Sequence, residues 1–277
     1  MNGPRAHRAP SDGDHVVWGG HATVRIVLGG TPVITDPILR ERIVHLQRTV
    51  PLVDGIADGV SAILISHLHY DHLDVASLAR IDHEVPVVIG PGGRPALGRR
   101  SRRPVIELAP GEAVTIDGVE IRATRAAHDG RRPGRRGVWA PPLGFVVSRN
   151  GQSVYFAGDT GLFDQMAEIA GGLSCALVPI WGWGASPGSG HLNPESAAEA
   201  LRVLAPRTAI PIHWGTYRTR VIRGRVAAGA KAPEQRFLAA AAARAPGVAV
   251  RVVPPGVRVD LDGRPAPSVI DRPAPVR

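Results

Sequence analysis

The chain has 277 residues, of which 44% are hydrophobic and 21% are charged, and this composition is ordinary for a globular protein. It excludes the collagen-like, coiled-coil and disordered classes for most of the chain, and the length fits one α/β domain. The one cysteine, Cys175, excludes a disulfide framework and a cysteine-based zinc finger. The formal net charge of +9 comes almost entirely from arginine. This charge attracts anions but does not choose between a phosphate, a nucleic acid and an anionic lipid.

Runs of β-type residues dominate the first half of the chain. Strands are predicted at residues 15–18, 23–28, 32–35, 62–65, 87–89, 105–108, 113–116 and 119–123. The run at 62–65 is apolar throughout, which is typical of a strand that is buried on both faces. A helix is predicted at 73–80, and the Asp117–Gly118 dipeptide predicts a hairpin turn.

The second half of the chain alternates strands with helices. Strands are predicted at residues 145–148, 153–157, 176–180, 208–212, 248–253 and 257–261, and helices at 163–170, 194–205 and 233–243. Asn150–Gly151 predicts a second hairpin turn. Two strand-rich halves, each with helices, predict an α/β fold in which two sheets pack face to face with the helices outside.

A single domain, residues 15–263, is predicted between two flexible tails at 1–14 and 264–277. The first tail lacks the apolar core of a secretory signal. The longest uncharged stretch, residues 169–190, contains two prolines and many glycines and serines, so it is a poor membrane span. A cytoplasmic protein is therefore predicted.

The strongest chemical feature is a histidine-rich segment directly after the apolar run at 62–65. Four candidate metal ligands fall within six residues, at His67, His69, Asp71 and His72. Histidine and aspartate cost desolvation free energy in a core unless something pairs with them. Neutral imidazole and carboxylate are ligands that zinc, iron and manganese accept. The segment therefore predicts a metal site.

Three further candidate ligands each follow the C-terminal end of a predicted strand. They are His128, Asp159 and His213. Because functional sites in α/β sheets assemble at this edge, we expect all three to lie beside the histidine-rich segment.

The combined pattern resembles the metallo-β-lactamase superfamily of binuclear metal hydrolases, over residues 16–261. Within it, the chain is most similar to the N-acyl-phosphatidylethanolamine phospholipase D-like group, which neighbours L-ascorbate-6-phosphate lactonase. The motifs that carry the likeness are Gly20–His21–Ala22–Thr23, Thr35–Asp36–Pro37, residues 65–74, residues 156–161, His191-x-x-Pro194-x-x-Ala197 and residues 212–216. The likeness implies the metallo-β-lactamase fold, an αββα sandwich with the site at one edge of its two sheets.

The resemblance also implies two divalent cations, zinc first, with manganese or iron as alternatives. The implied ligands are His67, His69 and His128 for one cation, Asp71, His72 and His213 for the other, and Asp159 as the bridge. Asp36 would support a ligand imidazole from a neighbouring strand end. Two cations about 3.5–4 Å apart share a water and lower its pKa, so a hydroxide forms that attacks phosphorus or a carbonyl carbon. Asp71 and Asp159 thereby count as catalytic residues.

Two more histidines are expected near this site. The resembling group has a histidine at the position of His191, so we expect His191 to contact substrate or transfer a proton. A capping or packing role is the alternative for His191. His21 lies on the first strand-connecting turn and is expected to support the site from its rim.

Two loops are expected to contact the substrate. Trp181 and Trp183 lie in a glycine-rich loop and would form an apolar wall, with core packing as the alternative. Arg131 and Arg132 follow His128 closely and would attract an anionic group, with a solvated loop as the alternative. The stretch that contains these arginines also departs most from the phospholipase-like group.

Four functions fit these observations to different degrees. The preferred one is a phosphodiesterase of the phospholipase D type, acting on a small-molecule or lipid-like substrate and open to peripheral membrane contact. A lactone or amide hydrolase uses the same chemistry on carbon. A nucleic-acid processing protein is disfavoured, and no nucleic-acid partner is expected, because the 53 residues between Asp159 and His213 leave little room for an added arm. The full ligand complement argues against a catalytically silent metal-binding or redox protein.

Overall fold

The computed structural model describes residues 13–98, 101–134, 137–184, 186–219 and 232–261. Residues 1–12 and 264–277 of the predicted tails lie outside these ranges, so their flexibility stays a prediction. Asp14 was assigned to the first tail, yet it is bonded to the domain. Its carboxylate accepts a hydrogen bond from the Gly29 amide at 2.6 Å, and its carbonyl oxygen accepts one from the Leu261 amide at 2.9 Å.

Strands make up most of the regular structure in these ranges. Numbered β1 to β17 in chain order, they are His15–Gly20, Thr23–Leu28, Thr31–Thr35, Arg42–Ile43, Leu46–Arg48, Ala62–Leu64, Val87–Ile89, Val105–Glu107, Ala113–Ile116, Val119–Arg125, Leu143–Arg149, Gln152–Phe156, Cys175–Pro179, Thr208–Ile212, Tyr217–Thr219, Ala249–Val250 and Arg258–Asp260. The α-helices α1 to α3 are Val75–Leu78, Pro194–Leu204 and Pro233–Arg244, and two 3₁₀ helices are Arg94–Leu97 and Asp164–Ile169. In the part of the chain that is described, no helix is long and apolar enough to cross a membrane.

Two seven-stranded sheets pack face to face. Their strand orders are β17-β1-β2-β3-β6-β7-β8 and β16-β14-β13-β12-β11-β10-β9. The core between them contains buried side chains from both sheets, among them Ile26, Leu64, Phe145 and Phe156. A second apolar cluster lies between the second sheet and helices α2 and α3, and a third lies between the first sheet and α1. This layering confirms the predicted αββα sandwich.

Most elements lie where the sequence predicts them. Both hairpin turns are confirmed, since Asp117, Gly118, Asn150 and Gly151 all have the positive φ that such turns need. The helix predicted at 73–80 is shortened to the single turn of α1. The buried Arg103 guanidinium donates to four carbonyl oxygens at and after the end of that turn, those of Leu78, Ile81, Asp82 and Val85. The helix predicted at 163–170 is a 3₁₀ helix instead.

A third, three-stranded sheet of order β15-β5-β4 was not predicted. Its strands are only two or three residues long, which is too short for an alternating pattern to stand out. Tyr217 from β15 packs with Ile43 and Leu46 from the neighbouring hairpin. The Tyr217 ring also meets the His21 ring edge-on, with the ring centres 5.3 Å apart. This small sheet therefore covers one flank of the region where the predicted ligands meet.

Candidate metal centre

The topology brings the predicted ligands to one edge of the sandwich. In the first sheet β3 and β6 are parallel neighbours. Asp36 directly follows β3, and His67 lies three residues after the end of β6. In the second sheet β10, β12 and β14 run in the same direction. His128, Asp159 and His213 follow the C-terminal ends of these three strands. The site therefore lies where the two sets of strand ends face each other.

All seven predicted ligands lie close together, and two further histidines join them. Candidate donor atoms within 4.8 Å of one another form four overlapping groups: His67, His69 and His128; His67, His72 and Asp159; His21, Asp71, His72 and His213; and His128, Asp159 and His191. Asp159 belongs to two of these groups and shares a group with members of both predicted ligand sets. The structure thus assembles the full predicted donor set in one place.

Hydrogen bonds hold one ring nitrogen of several histidines and leave the other directed into the cluster. The Nδ1 of His72 donates to Asp36 Oδ2 at 2.8 Å. The Nδ1 of His128 donates to Gly190 O at 3.0 Å, and the Nδ1 of His213 donates to Trp181 O at 3.1 Å. Each bond fixes the tautomer in which Nε2 carries the lone pair. Fixed acceptors of this kind orient metal-binding imidazoles.

Asp36 supports His72 directly and His67 through one serine. Its Oδ1 accepts a hydrogen bond from the Ser66 amide at 2.7 Å, and its Oδ2 accepts one from Ser66 Oγ at 2.5 Å. Ser66 Oγ in turn accepts from His67 Nδ1 at 3.0 Å. The sequence predicts Asp36 at this supporting position, whereas the role of Ser66 was not predicted. The signal for Ser66 was a hydroxyl residue directly before the first ligand of the histidine-rich segment.

The inward-facing nitrogens fit a cation. His67 Nε2 is buried and has no hydrogen-bond partner among the described residues. His69 Nδ1 lies 3.2 Å from His128 Nε2, and His72 Nε2 lies 3.1 Å from His213 Nε2. Two lone pairs that face each other repel unless positive charge lies between them. With imidazoles and carboxylates as the donor set, zinc, iron and manganese all fit.

Burial keeps four of the imidazoles neutral. It lowers the pKa of His69 to about 4 and that of His213 to about 3. Burial also lowers the pKa of His67 well below its usual value, and it lowers the pKa of His128. Neutral imidazole is the form that binds a metal, so these four side chains are ready to act as ligands near neutral pH.

The two carboxylates and His72 form the charged part of the cluster. Burial alone would raise the pKa of Asp159, but the facing His213 and His72 bring it well below its usual value. Asp71 is likewise desolvated, yet His72, His21 and His213 lower its pKa well below the usual value. Burial would lower the pKa of His72, but Asp159 and Asp71 raise it well above its usual value. The proton on His72 therefore balances these carboxylates, and a cation that binds His72 Nε2 would displace it.

His21 lies inside the site and not at its rim, where it was predicted. It is 1% exposed, and its Nε2 donates to Asp71 Oδ2 at 3.0 Å. Trp183 Nε1 donates to the same oxygen, also at 3.0 Å. His21, Asp36 and His213 all have positive φ, at 53°, 33° and 63°. Three residues of the site therefore adopt a backbone conformation that favours glycine.

The predicted substrate residues divide between the rim and the interior. His191 Nε2 lies 3.3 Å from Asp159 Oδ2, and the His191 side chain is 21% exposed. Trp183 is 36% exposed beside Asp71. The indole N–H of Trp181 donates to Gly184 O at 3.0 Å, within its own loop. The Arg131 side chain is 81% exposed, so it is open to a ligand.

Arg132 requires a correction. It was predicted to bind an anionic substrate, but it is only 6% exposed. Its guanidinium donates to the carbonyl oxygens of Leu68 and Leu73 and stacks on the Tyr70 ring. The guanidinium is therefore bonded inside the protein, and the prediction that Arg132 binds substrate is wrong.

An αββα sandwich with a histidine and aspartate cluster at one sheet edge defines a class of metal-dependent hydrolases. The family model of the beta-lactamase superfamily domain matches residues 31–214, which is more than half of the chain. The chain therefore belongs to the β-lactamase superfamily.

Similar proteins agree with this membership. A UPF0173 metal-dependent hydrolase of Opitutus terrae is 34% identical over 248 residues, covering 87% of this chain and 97% of that protein. Another, from Metallosphaera sedula, is 31% identical over 207 residues, covering 72% and 84%. Igni18, a metallo hydrolase from Ignicoccus hospitalis, has a similar solved structure, with a TM-score of 0.66 at 23% identity, covering 89% and 97%. The sequence relatives and the donor cluster together identify a metal-dependent hydrolase.

Proposed function

We propose that the protein holds two divalent cations, with zinc as the physiological metal, and hydrolyses a phosphodiester bond in a small-molecule or lipid-like substrate. The observation that carries this proposal is the position of the Asp159 carboxylate. Its Oδ2 lies 3.2 Å from His72 Nε2, and its Oδ1 lies 3.2 Å from His213 Nε2. Asp159 also shares donor groups with His67 and His128. A carboxylate that reaches both ligand sets is what a bridging ligand requires.

The remaining ligands divide on the two sides of Asp159. We assign one cation to His67, His69 and His128, and the other to Asp71, His72 and His213. When bound, two such cations acidify water and polarise the scissile bond. The neutral imidazoles of His67, His69, His128 and His213 supply lone pairs, and Asp36 fixes the orientation of the His72 ring, whose Nε2 would give up its proton to a cation.

Residues beside the ligands carry the other tasks. His191 holds its Nε2 against Asp159, which outweighs the effect of burial and raises the His191 pKa. We assign to His191 the transfer of a proton to the leaving group. Asp71 is held by two N–H donors, from His21 and Trp183. The exposed part of Trp183 would form the apolar wall for the substrate.

Two observations bear on the bond that is cleaved. The exposed Arg131 and the net charge of +9 support an anionic substrate such as a phosphodiester. The internal use of Arg132 removes one cation from the rim and favours a lactone or amide hydrolase as the second candidate. A lipid-like substrate would be reached by peripheral contact with a membrane, from the cytoplasm.

The test is a substrate screen on metal-reconstituted protein. Protein purified without chelator should contain about two metal ions per chain by elemental analysis. It would then be assayed with zinc, manganese or iron on bis(p-nitrophenyl) phosphate, an aryl lactone and a β-lactam. We expect the phosphodiester to be cleaved fastest. Faster cleavage of the lactone would establish the second candidate, and a protein that takes up no metal would refute the metal centre.

A further inference from the structure

Arg132 lies on the loop that contains His128, and its side chain reaches across to the histidine-rich segment. Its Nη1 donates to Leu68 O at 2.7 Å and to Leu73 O at 2.8 Å. Leu68 stands between the first two histidines of the histidine-rich segment, and Leu73 directly follows the last one. One guanidinium group therefore bonds the backbone of that segment near both of its ends.

Tyr70, which lies on the histidine-rich segment, in turn contacts the loop that contains Arg132. The Arg132 guanidinium carbon lies 4.0 Å from the centre of the Tyr70 ring, which is a cation–π contact. The Tyr70 hydroxyl donates to Pro133 O at 2.9 Å. Arg132 is itself four residues after His128, and its own amide donates to Val138 O at 3.0 Å. The position of the His128 loop and that of the histidine-rich segment are thus coupled.

The backbone of the histidine-rich segment needs such support. Residues 67–73 contain no strand and no helix, so regular hydrogen bonding does not fix their conformation. Metal ligands must lie within about 0.5 Å of the productive geometry to bind well. Turn bonds from the His72 and Leu73 amides to His69 O hold its middle, and Arg132 adds donors at Leu68 O and Leu73 O.

We propose that Arg132 is a positioning residue of the metal centre. By holding the two carbonyl oxygens and the Tyr70 ring, it sets the spacing between the ligands on the histidine-rich segment and His128. Its removal therefore weakens metal binding even in folded protein. This inference rests on the proposed function, because it requires the cluster to bind metal.

The experiment measures zinc affinity by competition with a chromophoric chelator, at a temperature where circular dichroism shows each variant folded. Arg132→Ala should bind zinc about 10–100-fold more weakly than wild type, as is typical when support of metal ligands is lost. Arg132→Lys should recover part of this loss, because an ammonium group can donate to the carbonyl oxygens but cannot stack flat on Tyr70. The matched control is Arg131→Ala, which removes the exposed neighbour and should bind zinc like wild type.

Tyr70→Phe keeps the inference testable if Arg132→Ala does not fold. It removes only the hydroxyl that binds Pro133 O, and we expect about a fivefold weaker zinc affinity, the equivalent of one ordinary hydrogen bond. If Arg132→Ala or Tyr70→Phe lowers the melting temperature of chelator-treated protein but binds zinc as tightly as Arg131→Ala, the inference is overturned and Arg132 is only a packing residue. If wild type binds no zinc, both the inference and the proposed metal centre fail.

Discussion

Buried histidines form the floor of the site, whereas Trp183 lies at its rim beside Asp71, and we propose that the exposed Arg131 belongs to the same rim. On the floor, His67, His72 and His213 are at most 2% exposed, and each has one ring nitrogen bonded to a fixed acceptor. At the rim, the Arg131 side chain is 81% exposed and Trp183 is 36% exposed. The floor is therefore preorganised for cations, while the rim can change its substrate preference without disturbing the fold.

The largest expected effect is the loss of hydrolysis in Asp159→Asn, which tests the floor directly. The amide keeps the size of the side chain but removes the charge that holds both ligand sets together. We expect turnover to fall to background while the far-ultraviolet circular dichroism spectrum stays native. Asp164→Asn, at an exposed position in the following 3₁₀ helix, should keep wild-type turnover. Wild-type turnover in Asp159→Asn would mean that Asp159 does not bridge.

Metal removal should have the second-largest effect. The change in melting temperature that it causes tests whether the floor, and not the rim, binds the metal. A metal present at 100 times its dissociation constant stabilises the protein by about 2.7 kcal/mol. For a domain of this length, that corresponds to a melting temperature about 5–10 °C lower after chelation. Thermal denaturation with and without chelator measures the shift. Arg131→Ala should show the same shift as wild type, since the rim holds no metal, and the absence of any shift would contradict metal binding by the floor.

Asp36→Asn should weaken metal binding without abolishing it. The variant keeps the shape of the group that accepts from His72 Nδ1 but loses its charge. We expect the affinity for zinc to fall by about 10–100-fold, as measured by chelator competition. The exposed Asp54 provides the control Asp54→Asn, for which the affinity should not change. Equal affinities for both variants would show that Asp36 supports the fold and not the ligands.

The smallest effect belongs to the rim. Because exposed charges are screened, Arg131→Ala should raise KM for an anionic phosphodiester by only about two- to fivefold and leave kcat unchanged. The salt dependence of kcat/KM should also become flatter, whereas a neutral lactone should be unaffected. Kinetics on both substrates across a salt series measure this difference. An equal change on both substrates would argue against electrostatic attraction by Arg131.

The floor could be predicted from sequence because its residue types have no other explanation. Four candidate ligands in six residues after an apolar strand cannot form a core, and each of the remaining ligands follows a strand end. The burial of Arg132 could not be predicted, since an arginine-rich stretch next to proline and glycine is usually solvated. The small sheet of β4, β5 and β15 was missed because its strands are too short to show a period.

The positive φ angles of His21, Asp36 and His213 have a consequence for the evolution of thermal stability in this protein. Glycine adopts such angles without penalty, whereas other residues cost about 1–3 kcal/mol each when held in sparsely populated backbone regions. Glycine at any of the three positions would relieve this backbone cost but lose the hydrogen bonds that the buried side chain makes. The strain and the bonds that offset it therefore belong to the same residues, and thermal stability cannot be raised there by relieving the backbone alone.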